Sequence, residues 1–137
     1  MKIQFTANVI PHGKQRARTV MRGGYAHSYT PRETVEFERE IGKAYRIAAR
    51  GLVMPENAPL MVDMVFYMPI PQSAGKRLRE RLVNRYHTKR GDVDNMVKSV
   101  LDGLNSVAYK DDAQVAAIRA EKVYSEDARV EVTIRTI

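Results

Sequence analysis

Residues 60 to 68 constrain the fold more than any other stretch. Leu60, Val62, Met64, Phe66 and Met68 recur at every second position, which is the side-chain period of a β-strand. The alternate positions carry Met61 and Val65 beside Asp63 and Tyr67, so the second face is apolar as well. A strand with two apolar faces belongs in the middle of a sheet with cover on both sides. Pro69 and Pro71 stop it, because proline cannot donate to a ladder. The rest of the chain has to supply its neighbours and its cover.

Three further strands are predicted. Ile3, Phe5, Ala7 and Val9 alternate with Lys2, Gln4, Thr6 and Asn8, giving one buried face. Residues 115 to 124 form another, and in 129 to 137 Val130, Val132 and Ile134 alternate with Arg129, Glu131, Thr133 and Arg135. Ser125-Glu126-Asp127 reads as a turn joining these last two in an antiparallel hairpin. Two main helices complete the set. Thr30-Pro31-Arg32-Glu33 has the composition of a capping box, and Phe37, Ile41, Ala44, Tyr45 and Ala48 follow as a core-facing stripe that Gly51 ends. Val97, Val100, Leu101 and Leu104 follow i, i+3, i+4, i+7 in the second helix. The expected fold is a single α/β or α+β domain over residues 1 to 137, a mixed four-stranded sheet packed by two main helices.

Two segments lie outside that core. Residues 18 to 22 and 25 to 29 flank Gly23-Gly24, a dipeptide suited to positive φ at both turn positions and therefore to a tight hairpin. Lys14, Arg16 and Arg18 precede it at every second position, so an extended backbone projects all three to one side as a phosphate-tracking arm beside Tyr25 and Tyr29. Ser73 is placed to cap a short basic helix with Lys76, Arg77, Arg79, Arg81 and Arg85, an excursion that reads as solvated.

Composition narrows the function. The chain has no cysteine, which excludes a disulfide framework and a thiolate metal site and makes the cytoplasm the expected compartment. The first ten residues alternate polar and apolar where a signal peptide is continuously apolar, and no membrane contact is expected. Twenty-three Lys and Arg against sixteen Asp and Glu give a net charge of +7. That excess favours a polyanion, above all nucleic acid, through release of condensed counterions.

Against this basic background one acidic stretch stands out. Lys89-Arg90-Gly91-Asp92-Val93-Asp94-Asn95-Met96-Val97-Lys98 is followed by Asp111-Asp112. Clustered carboxylates repel and call for a compensating cation, and Mg²⁺ suits hard oxygen ligands, binding through one or two carboxylates together with waters and phosphate oxygens. Asp92 and Asp94, two apart, face one way in an extended backbone, and Asp111 or Asp112 offers a third carboxylate. Lys89 and Arg90 before the pair point to an anionic substrate. Lys98 lies one helical turn after Asp94, placed to hold a phosphate or to stabilise developing charge, and Asp102 a turn further on is placed to pair with it. Taken singly, Asp94 also serves as an N-cap, Asp111-Asp112 as a turn and Lys98 as a solvated helix residue. These residues alone do not choose a nuclease over a phosphatase.

The pattern Asp-x-Asp-Asn-x-x-Lys from Asp92 to Lys98, then Asp102-Gly103-Leu104, then Asp111-Asp112-Ala113-Gln114-Val115, closely resembles the RusA family of Holliday junction resolvases. Pro11 to Arg18 and Tyr29-Thr30-Pro31 look like the basic N-terminal segment of its phage and prophage branch. The resemblance implies a homodimeric, Mg²⁺-dependent endonuclease that resolves four-way DNA junctions by paired symmetric nicks in recombination and repair. It implies Asp92, Asp94 and Asp112 as metal-binding catalytic carboxylates and Lys98 as the catalytic lysine, with Asp111 beside them in no assigned role. Lys14, Arg16, Arg18, Lys89 and Arg90 are the expected DNA contacts, and no small-molecule cofactor is expected. Mn²⁺ in place of Mg²⁺ is left open, as are two other readings: a non-catalytic nucleic-acid-binding module, and a metal-dependent nuclease acting on flaps or forks. Many members carry proline where this chain has Gly91, a departure expected to loosen the loop before Asp92.

Overall fold

The structure, a computed structural model, describes residues 1–15 and 17–137; the expected DNA contact Arg16 lies outside the described residues. In chain order the elements are β1 (Lys2–Ala7), β2 (Arg18–Arg22), β3 (Tyr25–Tyr29), α1 (Arg32–Ala49), β4 (Leu60–Pro69), α2 (Lys76–Leu82), α3 (Val93–Leu104), a 3-10 turn (Asp112–Gln114), β5 (Val115–Ser125) and β6 (Arg129–Thr136). The main sheet has the order β1-β6-β4-β5, and β2 pairs only with β3. It is an α+β domain with a mixed four-stranded sheet, as expected.

The strand from Leu60 is central, but its neighbours differ from the expectation. β5 and β6 do not form a hairpin: β4 lies between them, parallel to β5 and antiparallel to β6. Parallel pairing requires a crossover of a dozen or more residues, which the segment holding α2 and α3 provides. Once β5 occupies one side of β4, the returning strand can pair only on the other. The connection from Ser125 to Arg129 spans the end of β4 and is braced by the Arg129 guanidinium, which donates to Ser125 Oγ at 3.1 Å and to the Asp127 carbonyl at 2.9 Å.

The helices cover one face of the sheet only. Leu60, Val62, Met64, Phe66 and Met68 are buried together with Phe5, Ala7, Val130, Val132 and Ile134 beneath Phe37, Ile41, Tyr45, Met96, Val100 and Leu104. The second face of β4, expected to be covered as well, is half-buried and faces an open surface with Lys2, Gln4, Arg119, Glu121 and Arg135. Long neighbouring side chains provide what cover it has: Arg129 stacks 3.7 Å above the Tyr67 ring, and the Tyr67 hydroxyl donates to Glu131 at 3.1 Å.

Helix α1 starts without the expected capping box. Pro31 is the N-cap residue, with no side-chain bond to the helix, and Thr34 is buried instead with its hydroxyl 3.0 Å from His12 Nε2. The helix ends near the expected glycine: Arg50 (φ 52°) and Gly51 (φ 77°) both turn left-handed. α1 and α3 cross at Gly42 and Gly103. A Cβ on Gly103 would stand 2.8 Å from the Glu38 carbonyl oxygen, so glycine there is required by the backbone of α1.

Candidate active site

Asp92 is the N-cap residue of α3, yet its carboxylate does not cap. Asp94 sits in the first turn. Both are exposed, and among the described residues no ion pair involves either one. The positive end of the helix dipole offsets part of their mutual repulsion. Two exposed carboxylates at a helix entrance, without an ion-pair partner among the described residues, therefore face solvent.

The loop that presents them is pinned from β5. Lys122 Nζ donates to the Lys89 carbonyl at 2.9 Å and to the Gly91 carbonyl at 2.7 Å, fixing the backbone immediately before Asp92. Gly91 has φ +120°, a conformation closed to proline, whose ring fixes φ near −65°. The loop follows a backbone path specific to glycine and is tied by a lysine that the sequence reading missed. Residue 122 offered only a charged position in a predicted strand, where solvation is the ordinary outcome. Lys89 and Arg90 are exposed on this loop.

Lys98 is more than half exposed and pairs with Asp102 at 3.1 Å, the expected i, i+4 contact. Asp102 also holds Lys14, with its other oxygen 3.0 Å from Lys14 Nζ, while Glu38 of α1 grips the same ammonium. The Lys14 amide also donates to the Asn95 carbonyl at 3.0 Å. Lys14 therefore links the N-terminal segment to α1 and α3, and its ammonium is turned toward two carboxylates. Partial burial lowers the Lys14 pKa, but the bonds to Glu38 and Asp102 and their negative charges outweigh it, and the net direction is upward. Arg18 opens β2 and is exposed.

The structure separates the two aspartates at 111 and 112. The Asp111 carboxylate accepts the Ala113 amide at 3.0 Å and so opens the 3-10 turn; this bond, followed by one with Asp112, holds its pKa below the usual carboxylate value. Asp112 is half-buried beside buried Tyr109, whose hydroxyl donates to the Leu101 carbonyl at 2.8 Å. Burial pushes the Tyr109 phenol pKa up, and the charges of Asp112 and Asp102 push it further. Among the described residues no group of three or more His, Asp or Glu side chains is close enough to hold a metal ion. The Asp92 and Asp94 pair alone still matches the one or two carboxylates through which Mg²⁺ is commonly bound. Gln114 has a structural role, its amide donating to the Pro55 and Ala58 carbonyls ahead of β4 at 2.9 and 3.2 Å. No helix among the described residues is long and apolar enough to cross a membrane.

Residues 8–135 match the family model for Endodeoxyribonuclease RusA. The chain is similar to the Uncharacterized protein YqaN of Bacillus subtilis (strain 168), at 36% identity over 143 residues that cover 98% of this chain and 96% of that protein. It is also similar to the Crossover junction endodeoxyribonuclease rusA of Lactococcus phage r1t, at 31% identity over 83 residues, 60% of this chain and 58% of that protein. The family match takes in α3, the loop before it and the 3-10 turn after it, every segment from which the candidate carboxylates come, and the chain belongs to the RusA endodeoxyribonuclease family.

Proposed function

We propose that this protein is a Mg²⁺-dependent endodeoxyribonuclease that resolves four-way DNA junctions as a homodimer, in recombination and repair. The observation that carries the proposal is the pair of carboxylates, Asp92 and Asp94, without an ion-pair partner among the described residues, on a loop pinned by Lys122 in a chain of the RusA family. A bound divalent ion would activate water and neutralise charge at the phosphorus. Asp92 and Asp94 would hold it. Lys98, on the next turn, would exchange its Asp102 partner for the scissile phosphate and place a positive charge where negative charge develops. Exposed Lys89, Arg90 and Arg18 would hold flanking phosphates. The junction is itself two-fold symmetric, so a two-fold dimer would present one site to each of two opposed strands.

Cleavage of a synthetic four-way junction, a fork and a linear duplex at one salt concentration tests the substrate. The junction is expected to be cut in Mg²⁺ and the duplex left intact; faster cutting of the fork would reassign the substrate. No group of three metal-holding side chains forms among the described residues, so Asp112→Asn decides whether Asp112 belongs to the proposed carboxylate set. A loss of activity comparable to that of Asp92→Asn makes it part of the site, and full activity leaves it a turn residue. Lys122→Met keeps the aliphatic stem and removes both loop bonds. It is expected to lower the nicking rate by about tenfold or more through misplacement of Asp92, with junction affinity retained, whereas Lys122→Arg restores part of the rate.

A further inference from the structure

The β2–β3 ribbon is the one sheet among the described residues that has no place in the core. It pairs with no other strand, and two strands alone are marginal in water. Gly23 (φ 56°) and Gly24 (φ 81°) turn it tightly, and Thr19 and Ser28 hydroxyls meet across it at 3.3 Å. Its register sorts the side chains sharply. Arg18 faces Tyr29, Val20 faces His27 and Arg22 faces Tyr25 on one side, while Thr19 with Ser28 and Met21 with Ala26 occupy the other. The first side gathers every arginine and every ring of the ribbon. Tyr25 is 74% exposed and Tyr29 47%, and neither belongs to the hydrophobic core, so both are open to a ligand.

Spacing argues for bases as the occupant. Successive residues on one face of a strand are about 6.7 Å apart, twice the roughly 3.4 Å that separates neighbouring nucleotides along a strand. Tyr25, His27 and Tyr29 therefore leave room for one base between each pair of rings. Arg22 and Arg18 stand across the ribbon from the outer two, where they meet the phosphates that flank such bases. Paired, stacked bases inside a duplex are closed to this contact, and the unstacked bases at a branch are open to it.

We propose that the Arg18/Tyr29, His27 and Arg22/Tyr25 face of the ribbon binds unstacked bases at the branch point of DNA, giving preference for branched over linear substrate. This rests on the junction reading above. The test is affinity for a four-way junction and for a linear duplex of matched length, measured by gel shift in chelator so that no cleavage competes. The variants are Tyr25→Ala/Tyr29→Ala, Tyr25→Phe/Tyr29→Phe and, on the opposite face, Thr19→Ala/Ser28→Ala. The alanine pair is expected to weaken junction binding roughly tenfold or more and to leave duplex binding unchanged, while the phenylalanine pair and the opposite-face pair bind as wild type. Wild-type junction affinity in the alanine pair, or equal losses on junction and duplex, overturns the inference and leaves the junction reading standing. A wild-type protein with no preference for the junction over the duplex overturns both.

Discussion

Asp92→Asn is expected to slow junction nicking by about 100-fold or more while junction affinity stays within about twofold. Asparagine is the same size and an equally good N-cap residue, and the Asp92 carboxylate makes no capping bond that the change could break, so α3 and its loop keep their positions. Only the charge is lost. Asp94→Asn in the first turn should behave in the same way. Single-turnover cleavage of an end-labelled junction reads the rate, and gel shift under the same salt reads the affinity. Equal rates for wild type and Asp92→Asn would remove that residue from the site, and a parallel loss of binding would make its role positional and not catalytic.

The second large effect falls on the fold. Gly103→Ala places a methyl group 2.8 Å from the Glu38 carbonyl oxygen, 3.1 Å from the Glu38 Cα and 3.1 Å from the Ile41 Cβ. Two of those atoms are backbone, so the contact cannot be relieved by a rotamer change and the helices must separate. The expected loss is about 1–3 kcal/mol, net of the roughly 1 kcal/mol that alanine would otherwise contribute inside a helix. Urea unfolding followed by far-ultraviolet circular dichroism checks it. Gly75→Ala, which meets nothing within 4 Å but replaces the N-cap residue of α2, separates a capping cost from the steric one and is expected to cost less. Separation of α1 from α3 also pulls Glu38 away from Lys14, so the ion-pair chain through Asp102 to Lys98 should weaken with it. Gly103, part of the Asp-Gly-Leu run that carries the family likeness, thus acts through helix crossing.

The residues of the elements were largely legible because each has a period of its own. Leu60 to Met68 announced a strand, Phe37 to Ala48 a helix and Gly23-Gly24 a tight turn, and the structure has all three. Periodicity tells which side of a strand is buried but not which strand lies next to it. Val130, Val132 and Ile134 were therefore placed correctly in the core, while the pairing of their strand with β4 in place of β5 was not legible. The half-open face of β4 was misread for a related reason: Met61 and Val65 are sheltered by the long polar side chains of neighbouring strands, which no local pattern in β4 records.

Among the candidate residues, the placement of Asp92, Asp94 and Lys98 at the start of α3 was legible from spacing because one helix carries them all. Lys14 was not, since its partners Glu38 and Asp102 come from two different helices. Lys122 was invisible for the same reason, acting across 31 residues of sequence on the Gly91 carbonyl. Spacing alone did not tell Asp111 from Asp112; the family likeness favoured Asp112, and in the structure the Ala113 amide engages the Asp111 carboxylate.

The measurement closest to the central claim is strand mapping on a labelled four-way junction, with wild-type protein in Mg²⁺, in chelator, and after Mg²⁺ is restored. Paired nicks at symmetry-related positions in two opposed strands are predicted in Mg²⁺, absent in chelator and recovered on restoration. Cutting that persists in chelator, or an intact junction in Mg²⁺, would contradict the assignment of Asp92 and Asp94 to a divalent ion at the heart of this protein's chemistry.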